Sequence, residues 1–239
     1  MIISNSKRFI FVHLHKCAGT NITRTLEPAL SWNDIVCGGT ALGECVNRHY
    51  KRLYSIHKHS RASEIKRVVG EKIWDDYFTF AFVRNPYARA VSLYTFIGRL
   101  VEIRSRGLKK FSRYFTRRSG NDFWSWPLTQ AYLQSRSFPE FIRLDNFVNS
   151  IGSQPLFSTL SDDGNNRLIV DYVGRMEELD RDFSHVLGRI GLSNLSLEKK
   201  RTSLGKADYR EYYQDEEDYN LVYELFRTDF EAFGYDRAG

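Results

Sequence analysis

The chain has 239 residues, and 35 Lys and Arg against 29 Asp and Glu leave a net charge of +6 with His neutral. Hydrophobic residues make up 42% and aromatics 15%, with only 5 Pro, which excludes disordered, collagen-like and fibrous chains. The length suits one large domain, residues 1–239, whose core needs no metal or disulfide staple.

No apolar run approaches the ~20 residues of a membrane-crossing helix. Lys7 and Arg8 interrupt the N-terminal segment before it can form the apolar core of a signal peptide, so the sequence reads as cytoplasmic with no integral membrane segment. Cys17, Cys37 and Cys45 fit a reduced compartment as free thiols. Cys37 and Cys45 could also pair or join a metal site, although no C-x-x-C pattern is present. Charge is uneven along the chain. Residues 99–118 hold eight basic side chains and one acid, Glu102, whereas residues 208–218 hold six acids and one Arg. Both runs suit solvated surface, and the basic one also favours an anionic partner.

In chain order, residues 8–12 (R-F-I-F-V) read as a buried parallel strand, followed by the loop H-L-H-K-C-A-G-T and a helix from Asn21. Residues 53–56 suggest a short strand, His57-Lys58-His59 follow, and residues 62–69 suggest a helix. Residues 77–83 (Y-F-T-F-A-F-V) read as a central strand that runs through Arg84-Asn85 into a helix opened by Pro86. A helix is expected over 138–148, a loop over 152–166, a strand over 169–173 and helices over 179–190 and 216–230. Strands alternating with helices predict an α/β fold with a central parallel sheet covered by helices on both faces.

Two of these strand-to-helix turns carry chemistry. A helix start offers unpaired N–H groups and positive dipole, which suit phosphate or sulfate. In residues 15–21, Ala18 and Gly19 allow close backbone approach, Lys16 adds charge, and Thr20 and Asn21 add polar groups. The order of Lys and Gly is not that of a Walker A loop. Arg84 closes the second strand, and Arg89 and Ser92 lie three apart on the next helix. Two arginines and a hydroxyl there would hold a second phosphate, giving a nucleotide with phosphate groups at two places.

The pair V-H-L-H-K-C-A-G-T and F-A-F-V-R-N-P-Y-A-R-A-V-S-L-Y resembles the family 2, carbohydrate-type sulfotransferases. The resemblance continues through F-P-E-F-I, V-G-R-M-E-E-L, D-Y-R-E-Y-Y and D-F-E-A-F-G-Y-D, nearly the whole chain. It implies a P-loop-like sheet and 3′-phosphoadenosine-5′-phosphosulfate (PAPS) as donor. It also implies that Lys16, Cys17, Ala18, Gly19, Thr20 and Asn21 form the loop for the 5′-phosphosulfate. Arg84 and Ser92 match the 3′-phosphate pair, and Arg201, Thr202 and Ser203 match more loosely a late loop that closes over the nucleotide. His15 stands where the family usually has Pro, so the loop loses a fixed φ, and the imidazole is a candidate extra ligand contact whose role the resemblance leaves open. Residues 154–160 match the family poorly. Members in the Golgi carry an N-terminal anchor, so this chain is expected to be a bacterial-type soluble member or a fragment below such an anchor.

Sulfuryl transfer needs in-line geometry, charge stabilisation and a base for the incoming hydroxyl. Lys16 suits the charge on the leaving oxygen. His59 is the expected base, with His57 second, because imidazole titrates near neutrality and the H-K-H stretch lies where the resemblance places a catalytic His. His13 reads as a hydrogen-bonded structural residue, and Glu177 as a carboxylate that supports the site or an ordinary helix-start acid. No metal is implied, since His57-x-His59 lacks further ligands at suitable spacing. The expected acceptor is a carbohydrate or another hydroxyl compound, anionic if it uses the basic run, and not a nucleic acid. The competing readings are a nucleotide or small-molecule kinase and a non-catalytic module binding an anionic polymer.

Overall fold

A computed structural model of the chain describes residues 1–111, 123–162, 164, 167–197 and 208–237, without the side chains of residues 107–111. β1 (Ile2–Ser4), β2 (Phe9–Val12), α1 (Gly19–Leu26), β3 (Ile35–Val36), α2 (Ala41–Tyr54), α3 (Ala62–Val69), α4 (Glu71–Asp76) and β4 (Phe78–Val83) come first. α5 (Pro86–Phe111), α6 (Pro127–Gln134), α7 (Phe138–Arg143), α8 (Asp145–Val148) and α9 (Leu156–Leu160) follow. β5 (Tyr172–Arg175), α10 (Leu179–Arg189), α11 (Glu216–Leu225) and α12 (Arg227–Phe233) complete the order. These residues form two compact units, 1–85 with 156–197, and 86–155 with 208–237.

The first unit is an α/β layer built on a five-stranded sheet in the order β3-β1-β2-β4-β5. β2, β4 and β5 are parallel, with Phe11 beside Phe80 and Val83 beside Arg175. The expected parallel sheet is therefore its inner part. β1 is antiparallel to both β2 and β3; with β2 this follows because residues 5–8 are far too few for a parallel crossover, which takes a dozen or more. Arg8, at φ 54°, completes that tight connection. Phe9, Phe11, Phe80 and Phe82 share one face with Ile22 and Leu26 of α1 and Phe183, Val186 and Leu187 of α10. The alternating Ile10, Val12, Thr79, Ala81 and Val83 are buried as well. Both faces of these strands are thus withdrawn from water, which explains their nearly unbroken apolar sequence.

Three expectations change in this unit. Residues 53–54 end α2 and are not a strand; Thr40 caps that helix by accepting from the Gly43 N–H at 3.1 Å. The strand expected at 169–173 begins at Tyr172, and just before it Asp171 is tied to Thr79 through both backbone and side chain. Its carboxylate accepts from the Thr79 N–H and hydroxyl at 2.8 and 2.9 Å. The expected loop contains α9, whose Leu156 and Leu160 are buried four residues apart on one face.

The second unit packs helices around Tyr87, Phe138, Phe141, Phe147, Phe226 and Phe230. The helix expected over 138–148 breaks at Leu144, which adopts an extended backbone. The C-terminal helix breaks at Phe226, whose ring is buried under the Arg89 guanidinium at 4.5 Å. Arg89 and Asp229 are each 1% exposed and paired at 3.3 Å. Arg89 also donates to the carbonyls of Gly152 and Gln154 at 3.1 and 2.7 Å. Removing one member of a buried ion pair leaves the other uncompensated, at a typical cost of about 3–5 kcal/mol. Arg89→Met is expected to lower the urea midpoint accordingly, followed by circular dichroism; a wild-type midpoint would contradict this role.

Candidate active site

The loop between β2 and α1 is built on strained backbone. Lys16 and Ala18 both have positive φ, 66° and 57°, a conformation that costs a non-glycine residue of order 1–3 kcal/mol. Buried residues anchor it: Leu14 and Cys17 sit in the core, and the Cys17 thiol donates to the His15 carbonyl at 3.3 Å. What Cys17 presents outward is therefore backbone. Ala18 caps α1 without a side-chain bond, and Thr23 fastens the first turn by donating to the Gly19 carbonyl at 2.8 Å. Gly19 is required by space: a Cβ there would lie 2.2 Å from the His13 ring. Thr20 and Asn21 are half-buried in the same turn.

Parallel pairing sets the C-terminal ends of β2, β4 and β5 side by side. Arg84 continues β4, and the next residue, Asn85, donates its N–H to Glu177 Oε1 at 2.7 Å. Glu177 follows β5, so this bond ties two adjacent strand ends together and fixes the backbone that carries Arg84. The expected supporting carboxylate thus has a specific task. Burial, with Arg84 contributing like charge, lowers the Lys16 ammonium to about 8. Lys16 and Arg84 consequently create a concentrated positive field at the ligand-side edge of the sheet.

His59 joins this edge from the turn before α3. Its Nδ1 lies 2.8 Å from the His13 carbonyl oxygen, so Nδ1 carries the proton and Nε2 the lone pair. Its ring stacks on His15 at a 3.6 Å centroid distance and 21°, and meets the edge of His13 at 4.9 Å and 76°. Burial first, then His15, push the His59 imidazolium down to about 2. His57 is engaged differently. Its Nδ1 accepts the His59 N–H at 3.1 Å, which leaves the proton on Nε2 and makes this ring a turn-former. Geometry therefore favours His59 over His57 as a proton acceptor. His13 is 3% exposed, and among the described residues its Nδ1 has no hydrogen-bond partner; the hydrogen bond expected of this residue is made by its backbone oxygen. The stack of His15 on His59 was not foreseen, because the two lie 44 positions apart with no shared period.

Arg89, expected to serve a phosphate, is instead consumed by Asp229 and two carbonyls. Ser92 is buried on α5 in the second unit. Arg201, Thr202 and Ser203 lie outside the described residues, as do Arg113, Arg117 and Arg118 of the basic run; Arg106 pairs with Glu102 at 2.5 Å. Cys17, Cys37 and Cys45 are free thiols. Among the described residues no three His, Cys, Asp or Glu groups converge as metal ligands, and no helix is long and apolar enough to cross a membrane. A cleft of about 650 Å³ opens at the opposite end of the strands, where Arg8 faces Asp76 at 3.8 Å.

His13 and His59 have lowered pKa values, so both stay neutral in the folded chain at pH values where an unfolded histidine, near 6.5, takes up a proton. Their effect on stability is nil above that value and becomes unfavourable as pH falls, by up to about 1.4 kcal/mol per pH unit for each imidazole. The urea midpoint is expected to drop between pH 7 and 5, and less so in His59→Phe; equal drops in both would contradict the neutral assignment of His59.

The family model described as the Sulfotransferase family matches residues 1–236. An uncharacterized protein of Archaeoglobus fulgidus is 27% identical over 128 residues, which cover 54% of this chain and 79% of that protein. No solved structure matches the chain significantly. A strained anion-receptive loop, an arginine at the next strand end and a family match over almost the full length lead to one assignment: the chain belongs to the sulfotransferase family, enzymes that transfer sulfuryl groups.

Proposed function

We propose that this sulfotransferase moves the sulfuryl group of PAPS to a hydroxyl of an acceptor, in class a carbohydrate, by in-line displacement. The observation that carries this reading is His59 held as the Nδ1–H tautomer against the loop that bears Lys16, with Arg84 at the neighbouring strand end. The residues present suit such a donor. Ala18 and Gly19 open α1 without a side-chain cap, so its first N–H groups are not taken by a capping side chain, and Lys16 supplies charge beside them. The 5′-phosphosulfate is assigned to residues 16–21. Arg84 is assigned to the 3′-phosphate.

In the reaction, the acceptor oxygen bonds to sulfur as the bond from sulfur to the phosphate oxygen breaks. His59 Nε2 takes the hydroxyl proton, and Lys16 stabilises negative charge on the departing adenosine 3′,5′-bisphosphate. Alone, the buried imidazole is a weak base. A bound donor brings negative charge beside it, which favours the imidazolium and raises its proton affinity. The base is thereby strengthened when the donor is in place. Membership of this family argues against the kinase and non-catalytic readings.

Calorimetry with adenosine 3′,5′-bisphosphate, against ATP with Mg²⁺ as control, tests the donor. Tight binding of the bisphosphate that is lost in Arg84→Ala is expected, and absence of binding or indifference to that change would refute it. The affinity should be level near neutrality and decline above pH ~8 as Lys16 deprotonates, approaching tenfold per unit. Lys16→Arg, which stays charged, should abolish that decline. In a glycan screen with labelled PAPS, His59→Ala should lose transfer yet still bind the bisphosphate; retained turnover would remove His59 from the mechanism.

A further inference from the structure

We infer that His15 is a positioning residue that holds the imidazole of His59 by stacking flat against it, thereby setting the direction of the Nε2 lone pair. The inference rests on the proposed role of His59 as base. The hydrogen bond from Nδ1 to the His13 carbonyl fixes one atom of the His59 ring at 2.8 Å. One such bond still lets the ring rock about the Nδ1···O axis, which would swing Nε2 sideways. A parallel ring at 3.6 Å removes that freedom on one face, and the His13 ring at 76° blocks the edge.

His15 can do this because its own backbone is held on both sides. Leu14 before it and Cys17 after it are buried, and the Cys17 thiol donates to the His15 carbonyl. Lys16 turns through positive φ immediately afterwards. The ring that steadies the base and the ammonium assigned to the donor are therefore neighbours in sequence, so the strained loop places both groups together. Flat stacking needs an aromatic plane rather than a titrating nitrogen. A misdirection of the base by an ångström would cost up to roughly 100-fold in rate.

The test uses His15→Pro, which restores the residue usual at this loop position, and His15→Phe, which keeps the plane but removes the nitrogens. ¹³C relaxation of the imidazole Cδ2–H and Cε1–H groups reports motion of the His59 ring without any acceptor. Wild type and His15→Phe should show a rigid His59 ring, whereas His15→Pro should show added ring motion with the Nδ1–H tautomer retained. With labelled PAPS and whichever glycan the screen identifies, kcat should fall roughly 10- to 100-fold in His15→Pro and recover in His15→Phe. Calorimetric affinity for adenosine 3′,5′-bisphosphate should hold in both. A His59 ring equally rigid in His15→Pro, or added ring motion in His15→Phe, would overturn the inference. Full turnover in His59→Ala would instead defeat the reading of His59 as base, and the two failures are thus told apart.

Discussion

The parallel pairing of β2, β4 and β5 is the constraint from which the site follows. In a parallel ladder every strand ends at the same edge, so the residues after Val12, Val83 and Arg175 must emerge together. Those residues include His13, Lys16, Arg84 and Glu177. Register matters as much as direction. A slip of one residue in β4 would turn Phe80 and Phe82 away from Phe9, Phe11 and Phe183, and apolar burial on both faces opposes it. The bond from Asn85 to Glu177 then completes at the strand ends what the ladder begins.

Desolvation gives this edge its chemical character. Lys16, His13 and His59 are all less basic than in water, and burial is the leading cause for each. A pocket that disfavours its own cations without a ligand is one whose electrostatics improve when an anion enters. The backbone strain at Lys16 and Ala18 belongs to the same arrangement, since helix-start N–H groups and a lysine are held ready at a cost met by packing of Leu14 and Cys17. The second unit is instead held by an aromatic cluster and a buried ion pair, and its Arg89 shows that an arginine in a motif can be structural.

Much of this was legible in residue order. The runs at 9–12 and 78–83 are long enough to show that both faces are buried, and Pro86 and Ala62 mark helix starts where they occur. Strands β1 and β3, of three and two residues, are too short to display a period, and the antiparallel edge was missed. The stretch at 53–56 misled for the same reason, because four residues cannot separate a strand from the last turn of a helix. Leu156 and Leu160 did carry a signal, their spacing of four, hidden among Ser, Asp and Gly. The breaks at Leu144 and Phe226 carried none, since they depend on how distant side chains pack.

By itself the sequence determined the α/β class, the two strand-to-helix turns that carry Lys16 and Arg84, and a family resemblance strong enough to name the chemistry. These are local properties, written in neighbouring residues and in burial patterns of period two or near four. Only the tertiary structure decided which histidine has its lone pair on Nε2, that His15 lies flat on it, that Glu177 secures the backbone beside Arg84, and that Arg89 is withdrawn into a core. Each of those depends on contacts between residues from 44 to 140 positions apart, and such contacts exist only once the ladder has set the strand ends and the cores have closed.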